Sequence, residues 1–328
     1  MITMHHVTLE GSYYEMGFTY GKELKIIGFK LPVFSDKAIK LGKECKQCVE
    51  TIFPEFLDEL HGIADAAELN RPELYAMTLR IPDFVLSAHS CTIFAVTDGD
   101  QTFMGRNYDM YYSFKNHIEC YFTNPDGGYK SIGQTDIFVG REDGVNEKGL
   151  GVAMSGTIAY FEPGLTFWVG VRYLLDKCQT VQQGIDFLTD VPHYCTITYL
   201  LVDVTGDMAV VEVSPMRTAV RRPKDRYIIS TNHLNHPKMQ NIKLYEPKES
   251  RIRYNKILES LGKRTEKLDE NFLKRLLSDH EGLVCSHIEK IKLGTLWSIV
   301  ANINTRQIWR AEGHPCTNQY VEDNRLQL

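Results

Sequence analysis

The sequence predicts an α+β fold, with helices and strands in separate layers, and three observations carry that reading. Residues 1–90 have mostly helical periodicity, whereas strand patterns begin abruptly at Cys91. From Cys91 onward, short β-rich runs bounded by turn residues outnumber the helical stretches. No internal repeat or low-complexity linker divides the 328 residues, so a helical segment (1–90) is expected to wrap onto a β-containing body (91–328) within one domain.

The elements follow in order. A strand is predicted over 3–9. Ser12 and Glu15 have the spacing of a capping box, which starts a helix over 13–27. Helical patterns continue over 35–52 and 54–67, the second with Phe56, Leu57, Leu60 and Ile63 on one face. Pro72 opens a further helix that ends near Leu79. Cys91 to Thr97 is a β-rich run, Asp98-Gly99-Asp100 is a turn, and a return strand begins at Gln101, which together read as a hairpin. Strands are predicted over 149–154, 196–204, 208–213, 227–231, 295–303 and 307–311. Helices are predicted over 165–177, 181–188, 250–261 and 269–277.

Composition narrows the function classes. Hydrophobic residues make up 43% and charged residues 24%, with a net charge of -5, so no basic face for nucleic acid is implied. The N-terminus lacks a basic stretch followed by an apolar run, and no segment approaches the ~18 apolar residues of a membrane span. A cytoplasmic protein with no membrane partner is the expectation. Eight cysteines in such a chain read as thiols rather than as a disulfide framework. Cys45 and Cys48 form a lone CxxC with no second pair at zinc-finger spacing, and His233-x-x-His236 lacks the glutamate of a zinc protease helix, so no metal is expected.

The hairpin at Cys91 carries the chemistry. Its return strand ends in Gly105-Arg106-Asn107-Tyr108-Asp109, and a hairpin folds that end back beside Cys91. A cationic neighbour raises a thiol's thiolate fraction, and a carboxylate can hold an amine. The same residues also fit an ordinary ion pair at a hairpin end with a buried apolar cysteine. Two bases are open to Cys91. One is His233, which would make a Cys–His hydrolase; His89 is adjacent in sequence but points elsewhere along an extended segment. The other is the α-amine of Cys91 itself, if the chain is cut before it, since an α-amine titrates near 8. Tyr108, Tyr111, Tyr112, Tyr160, Phe161 and Trp168 are equally compatible with a substrate pocket and with core.

Five motifs then recur in order: Cys91-Thr92; Gly105-Arg106-Asn107-x-Asp109; Gly144-Val-Asn146-Glu147-Lys-Gly149-Leu150-Gly; Ser230-Thr231-Asn232-His233; and Thr295-Leu-Trp-Ser with Gly313-x-Pro315. Together they resemble the penicillin acyltransferase branch of the N-terminal nucleophile (Ntn) hydrolases, which is related to choloylglycine hydrolases and penicillin V acylases. The resemblance spans most of Cys91 to Pro315. It implies a four-layer αββα sandwich and an amidohydrolase, or an acyltransferase, that cleaves itself between Ser90 and Cys91. Residues 1–90 would remain bound after the cut, homo-oligomerisation is left open, and no cofactor is required. The substrate implied is a small N-acylated amine. By the same resemblance Cys91 is the nucleophile and Asp109 the carboxylate that holds its amine. Arg106 is the guanidinium that favours thiolate, and Arg251 a supporting arginine. Asn232 and a backbone N–H near Gly156 are the oxyanion donors. The chain departs from relatives in having Ser155, Gly156 and Thr157 where an asparagine or tyrosine is common, and Ser90 where glycine is frequent.

Overall fold

The computed structural model describes residues 4–81 and 90–326. Strand β1 (His5–Gly11) is followed by α1 (Tyr13–Ile26), α2 (Asp36–Ile52), α3 (Pro54–Ala67) and α4 (Arg71–Thr78). Then come β2 (Ser90–Asp98), β3 (Gln101–Tyr111), β4 (Glu119–Pro125), β5 (Ser131–Thr135), β6 (Asp143–Asn146) and β7 (Leu150–Gly156). Helices α5 (Phe167–Lys177) and α6 (Val181–Asp190) precede β8 (Ile197–Asp203), β9 (Met208–Ser214), β10 (Arg217–Arg221) and β11 (Tyr227–Ser230). The chain ends with α7 (Lys248–Gly262), α8 (Glu270–Leu277), β12 (His287–Ile288), β13 (Leu293–Asn302), β14 (Gln307–Glu312) and β15 (Val321–Asp323).

The strands form two sheets. One has eight strands in the order β1-β4-β5-β6-β7-β8-β9-β10, and the other runs β11-β2-β3-β13-β14-β15 with β12 beside β13. The sheets meet face to face where β2 packs on β7 and β8. Helices α5 and α6 cover the outer face of the first sheet, and α7 and α8 that of the second. The result is the αββα sandwich that the resemblance implies.

Both faces of the central strands are therefore covered. Every residue of β7, β8 and β9 is buried, which is why they read as continuous apolar runs rather than as alternating ones. The hairpin β2–β3 divides its side chains between two cores. Cys91, Ile93 and Ala95 join the cluster between the sheets, while Phe94 and Val96 join Ile257, Leu261, Leu273 and Leu277 under α7 and α8.

The strand predicted over 3–9 is present as β1. β1 runs parallel to β4, from His5 opposite Glu119 to Gly11 opposite Pro125, and so supplies an edge strand to the larger sheet. Its pairing with β4 lies more than a hundred residues away in sequence and could not be read locally. Strands β4, β5, β6, β10, β12 and β15 were not predicted; all but the seven-residue β4 have five residues or fewer, too few for periodicity to distinguish them from loop. Ser12 caps α1 through the expected box, and its hydroxyl also donates to Glu15 at 2.7 Å.

Residues 4–81 are bound to the body by polar as well as apolar contacts. Arg172 of α5 lies 3.1 Å from Glu59 of α3 and 2.8 Å from Asp176, all fully buried, and Tyr13 donates to Asp176 at 2.9 Å. The α1–α3 crossing is closer than side chains permit. A Cβ on Gly17 would sit 1.9 Å from the Glu59 carbonyl oxygen, and one on Gly62 would sit 2.2 Å from that of Tyr14. Backbone cannot yield as a flexible side chain does. Gly17→Ala should therefore cost about 1–3 kcal/mol, read as a lowered urea midpoint, whereas an unchanged midpoint would mean that the helices are not in this contact.

Candidate active site

The strand pleat decides what surrounds Cys91. In the β2–β3 pairing Ser90 lies opposite Asp109, Cys91 opposite Tyr108, Thr92 opposite Asn107 and Ile93 opposite Arg106. Successive side chains alternate between faces. Cys91, Arg106 and Tyr108 thus point between the sheets, while Ser90, Thr92, Asn107 and Asp109 point toward α7 and α8. Arg106 and Asp109 both lie near Cys91, but they approach it from opposite sides of the hairpin.

On the inner side Arg106 is fully buried. Its guanidinium forms an ion pair with Asp143, lies 3.3 Å from a Glu142 oxygen and reaches the Cys91 sulfur at 3.7 Å. Trp297 donates to Asp143 at 2.9 Å and stacks on Tyr108 with ring centroids 3.8 Å apart, and Arg106 lies over both rings. Burial opposes the Arg106 charge, but Asp143, Cys91 and Glu142 more than compensate, so it stays protonated. Burial and the neighbouring Asp136 push the Glu142 carboxyl upward, against the opposing pull of Arg106. The thiol of Cys91 is also raised, because desolvation outweighs the pull of Arg106. With Cys91 in peptide linkage the sulfur is therefore a neutral thiol, not the thiolate expected from the sequence.

On the outer side Asp109 is fully buried. Thr295 donates to one of its oxygens at 2.6 Å, and the other has no hydrogen-bond partner among the described residues. Burial raises its carboxyl to about 6, against the opposing effects of Arg253, Thr295 and Arg106. A register shift between Thr295 and Trp297 lets β13 serve both sides: Thr295 stays opposite Asp109, and Trp297 opposite Tyr108.

The backbone of Cys91 is held as firmly as its sulfur. Its N–H donates to the Asn232 side-chain oxygen at 2.8 Å. Arg253 of α7 donates to the Cys91 carbonyl, to the Thr92 hydroxyl at 3.0 Å and to the same Asn232 oxygen at 2.8 Å. The Asn232 amide nitrogen donates to the Gly156 carbonyl at 2.8 Å. The carbonyl of Gly156 thus anchors the Asn232 side chain.

The arginine predicted on α7 is displaced by two positions. Arg251 is exposed and pairs with Glu246, whereas Arg253 is buried at the site. A signal for this lay in the sequence. The buried residues of α7 are Ser250, Arg253, Ile257 and Leu261, an i, i+3, i+7, i+11 stripe that includes 253 and excludes 251. Asp143 and Glu142 gave no such signal, because only sheet pairing brings them to Arg106. His233 is buried, with its Nδ1 3.1 Å from the Thr231 hydroxyl and 2.7 Å from that of Ser250, and burial lowers its pKa. That ring belongs to a hydroxyl network rather than to the Cys91 sulfur. His89 lies outside the described residues.

A cavity of about 470 Å³ opens beside this network. Ser90, Gly156, Asn232 and Arg253 stand on its polar side, with Ile158, Leu283, Ile288, Ile291 and Leu293 among its apolar walls. Of the aromatics noted in the sequence, Tyr111 lines it, whereas Tyr108 and Trp168 are core. Cys91 itself is fully buried behind Ser90.

Two facing sheets sandwiched by helices, with a cysteine at the head of a central strand, define an Ntn-hydrolase fold. Two variants of conjugated bile acid hydrolase from Clostridium perfringens share it at 13% identity, each covering 71% of this chain and 96% of the other, with TM-scores of 0.52 and 0.53. The Caenorhabditis elegans ortholog of N-acylethanolamine-hydrolyzing acid amidase matches at 16% identity over 65% of this chain and 93% of its own, with a TM-score of 0.48. No curated protein matches the sequence. The profile of the acyl-coenzyme A:6-aminopenicillanic acid acyl-transferase family matches residues 96–317, and the chain belongs to that family.

Two outcomes test this geometry, both measured in Cys91→Ala protein so that the thiol does not titrate. Arg253→Ala should cost about 2–4 kcal/mol of stability by leaving buried acceptors unpaired, and Arg251→Ala less than ~0.5 kcal/mol; equal urea midpoints for the two would contradict the assignment. The second concerns Asp109. Its carboxyl keeps a proton to higher pH in the folded state than in the unfolded one, so the folded state binds more protons between 3.8 and about 6. Its contribution to stability therefore falls as pH rises through that window. Asp109→Asn should flatten this part of the stability curve, and an unaltered slope would show that Asp109 titrates normally.

Proposed function

We propose that this protein is an autoprocessing amidohydrolase that cuts itself between Ser90 and Cys91 and then uses Cys91 to cleave linear N-acyl amides. The observation that carries this reading is the convergence on one residue of a buried cation at the sulfur and two polar side chains at its backbone. Arg106 faces the thiol, Asn232 accepts from the N–H, Arg253 donates to the carbonyl, and Asp109 lies on the far side of the hairpin.

In the processing step the Cys91 sulfur attacks the Ser90 carbonyl and the acyl group shifts from nitrogen to sulfur. Water then hydrolyses the thioester, leaving residues 1–90 with a carboxylate and residues 91–328 with a free α-amine. The buried Arg172–Glu59 pair and the β1–β4 pairing support retention of the first segment. The new amine inherits Asn232 as acceptor and Asp109 as counter-charge, and titrates near 8 unless perturbed. It therefore supplies the proton acceptor that buried Cys91 otherwise lacks.

In turnover this amine takes the thiol proton and sulfur attacks the substrate carbonyl. We assign the oxyanion to the Asn232 amide nitrogen, with a backbone N–H of the Gly156 segment as second donor. The leaving amine departs with a proton from the α-amine, and acyl-Cys91 remains as a thioester. Water completes hydrolysis; an amine acceptor at the same step makes the enzyme an acyltransferase. The cavity walls suit an apolar acyl group. His233 as base is not favoured, since its hydrogen bonds among the described residues run to Ser250 and Thr231 and none reaches Cys91.

Intact-mass measurement of purified wild-type protein should give two species divided before Cys91, and Cys91→Ala should give one. Iodoacetamide should label Cys91 in cut protein and leave it unlabelled in uncut protein, where the sulfur is buried. Cleaved protein should hydrolyse small N-acyl amines, and Cys91→Ala should have no activity. A fully active, uncut 328-residue chain would refute the reading.

A further inference from the structure

Three side chains on the rim of the cavity and a fourth beside them converge without a role in the chemistry above. They are His280, Cys285, His287 and Cys316, and their ligating atoms all lie within 4.8 Å of one another. His287 Nε2 is 3.4 Å from the Cys285 sulfur and 3.1 Å from that of Cys316. A tetrahedral zinc with two sulfur and two imidazole ligands has edges of about 3.3–3.8 Å. We propose that these four residues bind one Zn²⁺ ion, which clamps the rim of the substrate cavity.

Ligand chemistry and supports both point to this ion. Two thiolates and two imidazoles select zinc among the common divalent metals, and four protein ligands make a closed, structural site. Three of the four are exposed, so an ion has access. The ligands come from two segments that the fold has already joined. His280 and Cys285 lie in the loop after α8, and His287 is on β12, opposite Gly294 of β13. Cys316 follows β14, and Ser278 at the end of α8 donates to the Pro315 carbonyl beside it at 3.1 Å. The Asn107 side chain pins the loop by donating to the Leu277 and Val284 carbonyls, each at 2.8 Å. Behind the cluster, the His314 ring lies against His287 at 3.8 Å between centroids. Little reorganisation is needed to bind.

The clamp has a route to the chemistry. His280, Cys285, Ser286 and His287 all line the cavity. The N–H of Ser286, between the Cys285 and His287 ligands, donates to the Thr295 hydroxyl at 3.0 Å, and that hydroxyl donates to Asp109 at 2.6 Å. An ion that fixes this loop thus fixes the hydrogen bond that orients Asp109. In the sequence these residues are inconspicuous, because Cys316 lies far from the other three and no CxxC announces the site.

The test is metal analysis of the full-length chain, purified without a histidine tag. About one zinc per chain is expected in wild-type protein and in Cys91→Ala, which keeps the rim while removing the nucleophile. Cys316→Ser and His287→Ala should each lower the content at least ~10-fold. Cobalt(II) added to chelator-stripped protein should give the thiolate charge-transfer and d–d bands of a tetrahedral site, and these should be lost in Cys316→Ser. Chelation should lower the melting temperature of the wild type and leave that of Cys316→Ser unchanged. Three results would overturn the proposal: zinc absent from the purified protein with affinity weaker than about 1 μM after stripping, cobalt spectra without thiolate bands, or a Cys285–Cys316 disulfide in non-reduced protein. These readouts do not depend on self-cleavage or amide hydrolysis, so either reading can fail alone.

Discussion

The buried guanidinium of Arg106 is the constraint around which the centre of the molecule is arranged. A cation wholly removed from water is tolerable only with charged and hydrogen-bonding partners. Asp143 and Glu142 come from the opposite sheet, so the two sheets are joined by charge as well as by packing. Tyr108 and Trp297 wall the guanidinium and leave the Cys91 sulfur as its neighbour on the remaining side. Any change that separated the sheets would expose this cation, and any change that removed it would leave the buried Asp143 without its counter-charge.

The pleat then separates two tasks that the sequence places side by side. The sulfur faces Arg106 between the sheets, while Asn232 and Arg253 hold the amide and carbonyl of the same residue, with Asp109 on the helix side. Sulfur chemistry and amine chemistry at one residue require different surroundings, one cationic and one rich in acceptors. A strand supplies both because consecutive groups along it point to different faces. With the chain continuous, the thiol remains neutral and buried and the amide nitrogen has no basic lone pair. Under the proposed cleavage that nitrogen becomes an amine, and the same pocket acquires a proton acceptor.

The cavity rim extends this arrangement outward. Asn107, on the same strand as Arg106, fastens the loop that ends α8, and Thr295 connects that loop to Asp109. The residues that shape the rim are therefore one or two hydrogen bonds from those that orient the head of β2. An ion bound at the rim would act on the site through these contacts rather than through the substrate.

By itself the sequence determined the layered α+β class, the hairpin at Cys91 and the meeting of Cys91, Arg106 and Asp109, because hairpin closure is local; Asn232, 141 residues from Cys91, was named only through the family resemblance. The helix stripe of Ser250, Arg253, Ile257 and Leu261 was also written there, although Arg251 was the residue singled out. Tertiary structure alone decided the partners of Arg106, the pairing of β1 with β4, the side of the hairpin from which each group approaches Cys91, and the gathering of His280, Cys285, His287 and Cys316. Each of these depends on sheet register or on crossovers between elements distant in the chain, which periodicity cannot encode. The protonation of the thiol belongs there too, since desolvation depends on what covers the sulfur and not on which residues stand near it in sequence.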